Sequence, residues 1–377
     1  MASWDHVAAP RFSRRWLLVG AGALALVGVD ALPRPAGPVA DLPADALRER
    51  VLAATGPYVG VAESTARLGL PPLPQLESAV ALLTGTTRIR AFVASPERFR
   101  VDELTPVGER GTYRLDGREY GWNSDADQLT VITGAAPLRL PRAADLLPPE
   151  LARRLLRLAP GDPVETLPAR RVAGRTAAGL RLVPTDPATT IGRIDVWADD
   201  ATGLPLRVEV APRSAPEEPL LATAFSEVDD RAPDEADLLP QVPPGAGFVR
   251  ADAGQIAGAL RRLDAPDPPA TLAGRALVPL TATPGSELPG VGLYGTGPAG
   301  FALFPVSREI ADRAVDGAAL AGGAGVDAGR GRAVVLATPL LTLAVLARGR
   351  RGTLLVGTVA ADQLEQALLE LPDRRRT

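Results

Sequence analysis

The chain contains no cysteine and no lysine, and its one histidine is His6, so all 41 basic residues are arginine. Each absence excludes chemistry. Without cysteine there is no disulfide, no thiolate nucleophile and no sulfur ligand for zinc. Without lysine there is no amine for a Schiff base and no P-loop lysine. Beyond His6 no imidazole is available as general base for a serine nucleophile or as a metal ligand, and no G-x-S-x-G motif occurs. The expectation is a protein that is not an enzyme, with no catalytic residues, no metal and no cofactor. Exclusive arginine together with 38 glycines and 38 prolines reflects a GC-rich genome. A net charge of -3 gives no general attraction to nucleic acid.

What is present begins with an address. Arg11, Arg14 and Arg15 precede the charge-free apolar run Trp16–Val29, with small residues around Ala31. Residues 1–31 therefore read as a signal peptide or a membrane anchor, and Ser13–Leu18 resembles a twin-arginine export signal. Both readings place the rest of the chain outside the cytoplasm. Residues 32–40 are a Pro-rich spacer.

Residues 41–228 read as one domain. A helix is expected at Asp41–Thr55, then strands at Tyr58–Leu68, Thr86–Val93, Arg98–Leu104, Gly111–Leu115, Glu119–Asn123 and Gln128–Thr133. Asp116-Gly117 is a tight-hairpin signal. Pro149–Leu158 is an amphipathic helix with Leu151, Leu155 and Leu158 on one face and Arg153, Arg154 and Arg157 on the other. Strands resume at Arg175–Val183, Ile191–Ala198, Leu204–Val210 and Leu221–Val228. Evenly spaced strands with short turns predict an antiparallel sheet. Residues 229–245 read as an acidic linker, and residues 246–377 as a smaller C-terminal domain mixing helices (Ala251–Leu263, Arg308–Asp316, Ala360–Leu371) with strands, α/β or α+β in class.

Three motifs have a bland and a functional reading. Gly295–Gly300 matches a dinucleotide fingerprint by letter, but Pro298 and the strand-like Phe301–Phe304 favour a hairpin turn. Asn123, Asp125 and Asp127 alternate like a calcium loop, yet Gln128 and Gly134 occupy the positions that need Gly and Glu. Asp199-Asp200 fits turn chemistry better than an acid/base pair. Trp122 and Trp197, both mid-strand, are either plain core or the wall of an apolar cavity.

Tyr58–Ser64, Leu68–Pro71, Leu82–Arg90, Pro96–Asp102, Asp195–Asp199 and Gly203–Glu209 together resemble the LolA-like lipoprotein-carrier superfamily in an actinobacterial form. The two-part layout, with Leu221–Val228 as a domain-closing strand, resembles the RseB/MucB regulators. That resemblance implies an α+β fold: an antiparallel, unclosed β half-barrel with a helical plug, followed by the smaller domain. It implies a cavity for an acyl chain, a lipid or a lipidated protein, or regulation through a membrane anti-sigma factor in the envelope-stress response. Alternation along the strands nominates Tyr58, Ile89, Phe92, Val101, Tyr113, Trp122, Trp197 and Leu206 as the cavity lining.

Overall fold

The chain divides into two units, Met1–Pro35 and Ala36–Thr377. The computed structural model describes residues 42–70, 77–133, 139–252, 258, 260–280, 288–329 and 331–372. The expected targeting segment and the Pro-rich spacer lie outside these residues. No helix among the described residues is long and apolar enough to cross a membrane.

The first sheet has twelve strands. Helix α1 (Ala44–Ala53) leads into β1 (Tyr58–Ala66), and α2 (Glu77–Thr84) into β2 (Thr86–Ser95). A meander follows through β3 (Arg98–Leu104), β4 (Glu109–Leu115), β5 (Arg118–Asn123) and β6 (Gln128–Thr133). A 3-10 turn (Ala143–Leu146) and α3 (Pro148–Leu158) come next, then β7 (Val164–Val172), β8 (Arg175–Leu182), β9 (Ile191–Asp199), β10 (Pro205–Pro212) and β11 (Leu221–Asp229). A short α4 (Glu235–Leu238) precedes β12 (Gly247–Asp252). The order is β12-β6-β5-β4-β3-β2-β1-β11-β10-β9-β8-β7, so the two edge strands never meet and the barrel stays open. Register shifts in β1, β2, β7 and β10 mark bulges, which sharpen the curl.

Helices α1 and α3 fill the concave side. Leu47 and Val51 of α1 and Leu151, Ala152 and Leu156 of α3 pack on Leu180, Ile194, Val196, Val208 and Val210. The predicted polarity of α3 holds only in part. Leu158, in the last turn, is exposed, whereas Arg153 is buried and gives its guanidinium to the Ala54 carbonyl and to Glu150. Arg48 crosses from α1 to the end of α3 and donates to the carbonyls of Leu156 (3.2 Å), Ala159 and Asp162 (3.0 Å). The Leu156 and Ala159 carbonyls are among those that a helix leaves unpaired at its C-terminus, and Asp162 lies in the loop beyond it.

Residues 229–245, expected as an acidic linker, instead strap the convex face. Arg98 pairs with Glu235, Arg100 donates to the Asp237 carbonyl, and Leu238 is buried. The Glu235 carboxylate and the Asp237 backbone carbonyl serve as partners for arginines on β3. Residues 247–252, expected to open the C-terminal domain, pair parallel with β6 as the edge of the first sheet. Ala251, expected to start a helix, lies in this strand.

The second sheet has eight strands in the order β13-β14-β15-β16-β20-β19-β18-β17, all antiparallel. They are β13 (Thr271–Leu272), β14 (Arg275–Val278), β15 (Gly292–Tyr294), β16 (Phe301–Ser307), β17 (Ala324–Val326), β18 (Arg332–Ala337), β19 (Thr342–Arg348) and β20 (Arg351–Gly357). Helix α5 (Arg308–Leu320) covers Val334, Leu336, Leu343 and Val345, while α6 (Ala361–Glu370) covers Ala333, Val335, Ala344 and Leu346. Helices on both faces explain why these strands read as unbroken apolar runs.

A bridge between Thr189 and Val359 joins the two sheets. Thr190 donates to the Leu340 carbonyl at 2.7 Å, and the Leu340 side chain enters the first core.

Candidate functional site

The concave face between β1 and β5 is read off the register. Cross-strand partners point the same way, so Tyr58, Val93, Phe99, Arg114 and Glu119 form one row. The row runs from apolar to charged. A second row runs through Ala91, Val101, Thr112 and Gly121. The roof is the 3-10 turn and the start of α3, which contribute Ala144, Asp145, Leu147 and Glu150. Between floor and roof lies a groove of about 210 Å³. Tyr58, Val93, Phe99, Val101 and Leu147 make its apolar interior, and Arg114, Glu119, Arg139, Arg142, Asp145, Glu97 and Glu150 its charged rim.

The roof is tied down by charge. Asp145 accepts from Arg139 at 2.6 and 2.7 Å and from the Arg142 backbone N–H at 2.9 Å, while Arg142 pairs with Glu119 across to β5. Burial pushes the Asp145 carboxyl up, but Arg139, the Arg142 N–H and Arg154 outweigh it and hold the group below its ordinary value. A depressed carboxylate contributes stability above its unfolded value, about pH 4, and loses it as pH falls through the folded value. Asp145→Asn is therefore expected to speed hydrogen exchange of residues 143–147 at pH 7 by roughly two- to tenfold, the size of one net hydrogen bond once solvent screens the exposed Arg139. Unchanged exchange means that the tie does not hold the roof. Burial, with Glu150 adding to it, pushes the Tyr58 phenol far above its usual range, so it stays neutral.

The structure brings together only part of the expected lining. Tyr58, Ile89, Val101, Trp197 and Leu206 fall in one buried cluster with Phe225, whose ring meets Tyr58 edge-on at 5.7 Å. Tyr58 and Val101 line the groove itself. Phe92, Tyr113 and Trp122 point the other way. Phe92 sits opposite Arg100, Arg100 opposite Tyr113, and Trp122 opposite Gly111, all on the convex face. Arg100 stacks on the rings of Phe92 and Tyr113 at 5.5 and 5.4 Å. Trp197 lies opposite Arg207, also away from Val196 and Ile194. Its indole N–H donates to the Pro168 carbonyl at 3.1 Å, and Arg170 stacks on it at 4.0 Å. Arginine stems cover Phe92, Tyr113 and Trp197 on this outer face.

Phe99, Thr112, Arg114, Glu119, Arg142, Asp145 and Glu150 line the groove without having been singled out from sequence. The weighed motifs resolve as turns. Asp199 accepts from the N–H groups of Ala201 and Thr202. Asn123 accepts from the Asp125 N–H at 3.0 Å in the β5–β6 turn. Gly295–Gly300 joins β15 to β16 and offers the Pro298 carbonyl to Thr189 at 2.9 Å. Among the described residues no acidic or histidine cluster has the arrangement of a metal site.

An open antiparallel sheet curled over helices defines the LolA-like half-barrel class. Residues 112–242, within the half-barrel, match the family model of the MucB/RseB N-terminal domain. A MucB crystal structure is 19% identical over 86% of this chain and 96% of its own, with a TM-score of 0.45. The Pseudomonas aeruginosa MucA/MucB complex is 17% identical over 86% of this chain and 97% of its own, with a TM-score of 0.48. A LolA-superfamily protein from Nitrosomonas europaea is 13% identical over 53% of this chain and 98% of its own, with a TM-score of 0.24. No curated protein matches the sequence.

Proposed function

We propose that this is a non-catalytic regulator of the RseB/MucB type, held outside the cytoplasm by its 1–31 segment as a cleaved signal or an anchor. Its half-barrel groove receives an extracytoplasmic segment of a membrane protein, with an anti-sigma factor as the partner class. The observation that carries this reading is the make-up of the groove. Seven of its fifteen lining residues are charged, with three arginines and four acids around an apolar floor. A polypeptide segment supplies both an apolar side chain for Phe99 and Val101 and charges of either sign for the rim. At about 210 Å³ the groove is smaller than the roughly 300–1,000 Å³ of a site enclosing a whole small ligand, which also suits one inserted side chain.

A second reading has its own support. The inner wall of Tyr58, Ile89, Val101, Leu206 and Phe225 is continuous and apolar beneath the plug, and each CH₂ taken from water onto it is worth about 0.8 kcal/mol. An acyl chain of a lipid or lipidated protein gains that energy once the helices lift. The two readings are compatible, with chain occupancy altering affinity for the protein partner.

A photo-reactive benzoylphenylalanine placed at Phe99 and irradiated in the native envelope tests them. The expected product is a cross-link to one membrane protein, reduced about tenfold or more by Arg114→Glu. Cross-links to lipid alone favour the acyl reading, and cross-links to neither overturn both.

A further inference from the structure

Two buried hydroxyls on the concave wall have no hydrogen-bond partner among the described residues. Ser64 of β1 and Thr223 of β11 face each other in the register, and each is 1% exposed. Thr87 of β2 is the opposite neighbour of Ser64 and extends the row. One position along, on the outward face, Thr65 and Thr86 hydrogen-bond each other at 3.2 Å. The strand spacing therefore allows two facing hydroxyls to satisfy one another, and the inward pair does not. An orphaned buried hydroxyl costs free energy that alanine or valine of the same shape would avoid.

The row also falls on a seam. Along β1, Tyr58 and Ala62 belong to one apolar cluster and Ala66 to the other, with Ser64 between them. A dry wall crossed by a belt of hydroxyl donors suits a molecule with hydrocarbon running from a hydrogen-bond acceptor. We infer that Ser64 and Thr223 form a polar subsite for the ester or amide carbonyl of an acylated ligand, whose chain then lies along the Tyr58 cluster. The inference rests on the acyl reading above. Helix α2 packs on β1, and α3 on β10 and β11, so the carbonyl reaches the hydroxyls when these helices lift.

The test compares methyl tetradecanoate with tetradecyl methyl ether, which differ by one carbonyl, in displacing N-phenyl-1-naphthylamine from the full chain. Wild type is expected to bind the ester about five- to tenfold tighter, the range of one or two net hydrogen bonds. The double variant Ser64→Ala, Thr223→Val is expected to bind both alike, with the ether unaffected. Its melting temperature should equal or exceed that of wild type, because two orphaned groups are gone. The outward pair Thr65→Ala, Thr86→Ala is the control and keeps the preference for ester. If wild type binds both probes equally, or the double variant keeps the preference, the subsite is refuted and the acyl reading stands. If neither probe displaces the dye, the acyl reading fails and the subsite with it.

Discussion

Asp102→Ala is expected to destabilise the first sheet by about 3–5 kcal/mol, the cost of stranding buried charge. Asp102 is 0% exposed in the middle of β3. It accepts from Arg90 at 2.9 and 3.1 Å and from Arg100 at 2.9 and 3.0 Å. Both guanidiniums also reach Glu109, at 2.7 and 3.2 Å. Arg90 is partly exposed and recovers water when its partner goes. Arg100 is buried between Phe92, Tyr113 and the α4 strap and recovers little. The whole effect thus turns on Arg100. Adding Arg100→Met to Asp102→Leu should recover most of the loss, since an apolar pair of similar volume strands nothing. Trp122 and Trp197, the only tryptophans in residues 36–377, both belong to the first sheet. Urea unfolding followed by their fluorescence therefore reports this sheet. A single-variant cost below about 1 kcal/mol would show that the cluster behaves as a surface pair.

The half-barrel was legible in the sequence where its contacts are local. Asp116 and Gly117 adopt φ of 50° and 71°, as their predicted hairpin requires. That turn pairs Leu115 with Arg118, and counting outward pairs Arg114 with Glu119 and Gly111 with Trp122. The charged end of the groove floor was therefore within reach of sequence reasoning. So was the misplacement of Phe92. It lies three residues from Ile89 on one strand, and an odd separation puts two side chains on opposite faces. Phe92, Tyr113 and Trp122 were nominated from strand alternation, but they fall on the convex face, where the Arg100 stem covers Phe92 and Tyr113. What was not legible depends on distant pairings. The strap needs Arg98 and Arg100 to find Glu235 and Asp237, and β12 needs a parallel partner more than a hundred residues upstream. Neither leaves a local periodicity. An acidic, Pro-rich stretch looks like a linker until the arginines it answers are known.

Leu340→Ala is expected to cost about 2–5 kcal/mol, the usual range for truncating a buried leucine, and to loosen the second sheet from the first. Leu340 sits in the loop between β18 and β19, yet its side chain packs in the core of the half-barrel. Its carbonyl accepts from Thr190, and the Thr189 hydroxyl completes the joint, 2.9 Å from the carbonyls of both Pro298 and Thr358, which share its one proton. Truncation removes the apolar anchor and leaves these hydrogen bonds exposed to water. A larger radius of gyration in X-ray scattering and faster tryptic cleavage at Arg213 are the expected readouts. The consequence for function follows from α3. Its first turn roofs the groove through Leu147 and Glu150, and a Cβ at Gly297 would stand 3.2 Å from the carbonyl of its last residue, Leu158. One rigid helix thus touches the groove at one end and the second sheet at the other. If the joint matters to binding, Leu340→Ala changes the yield of the Phe99 cross-link although Leu340 is absent from the groove. An unchanged yield from a visibly loosened protein would make the second sheet a bystander to the groove.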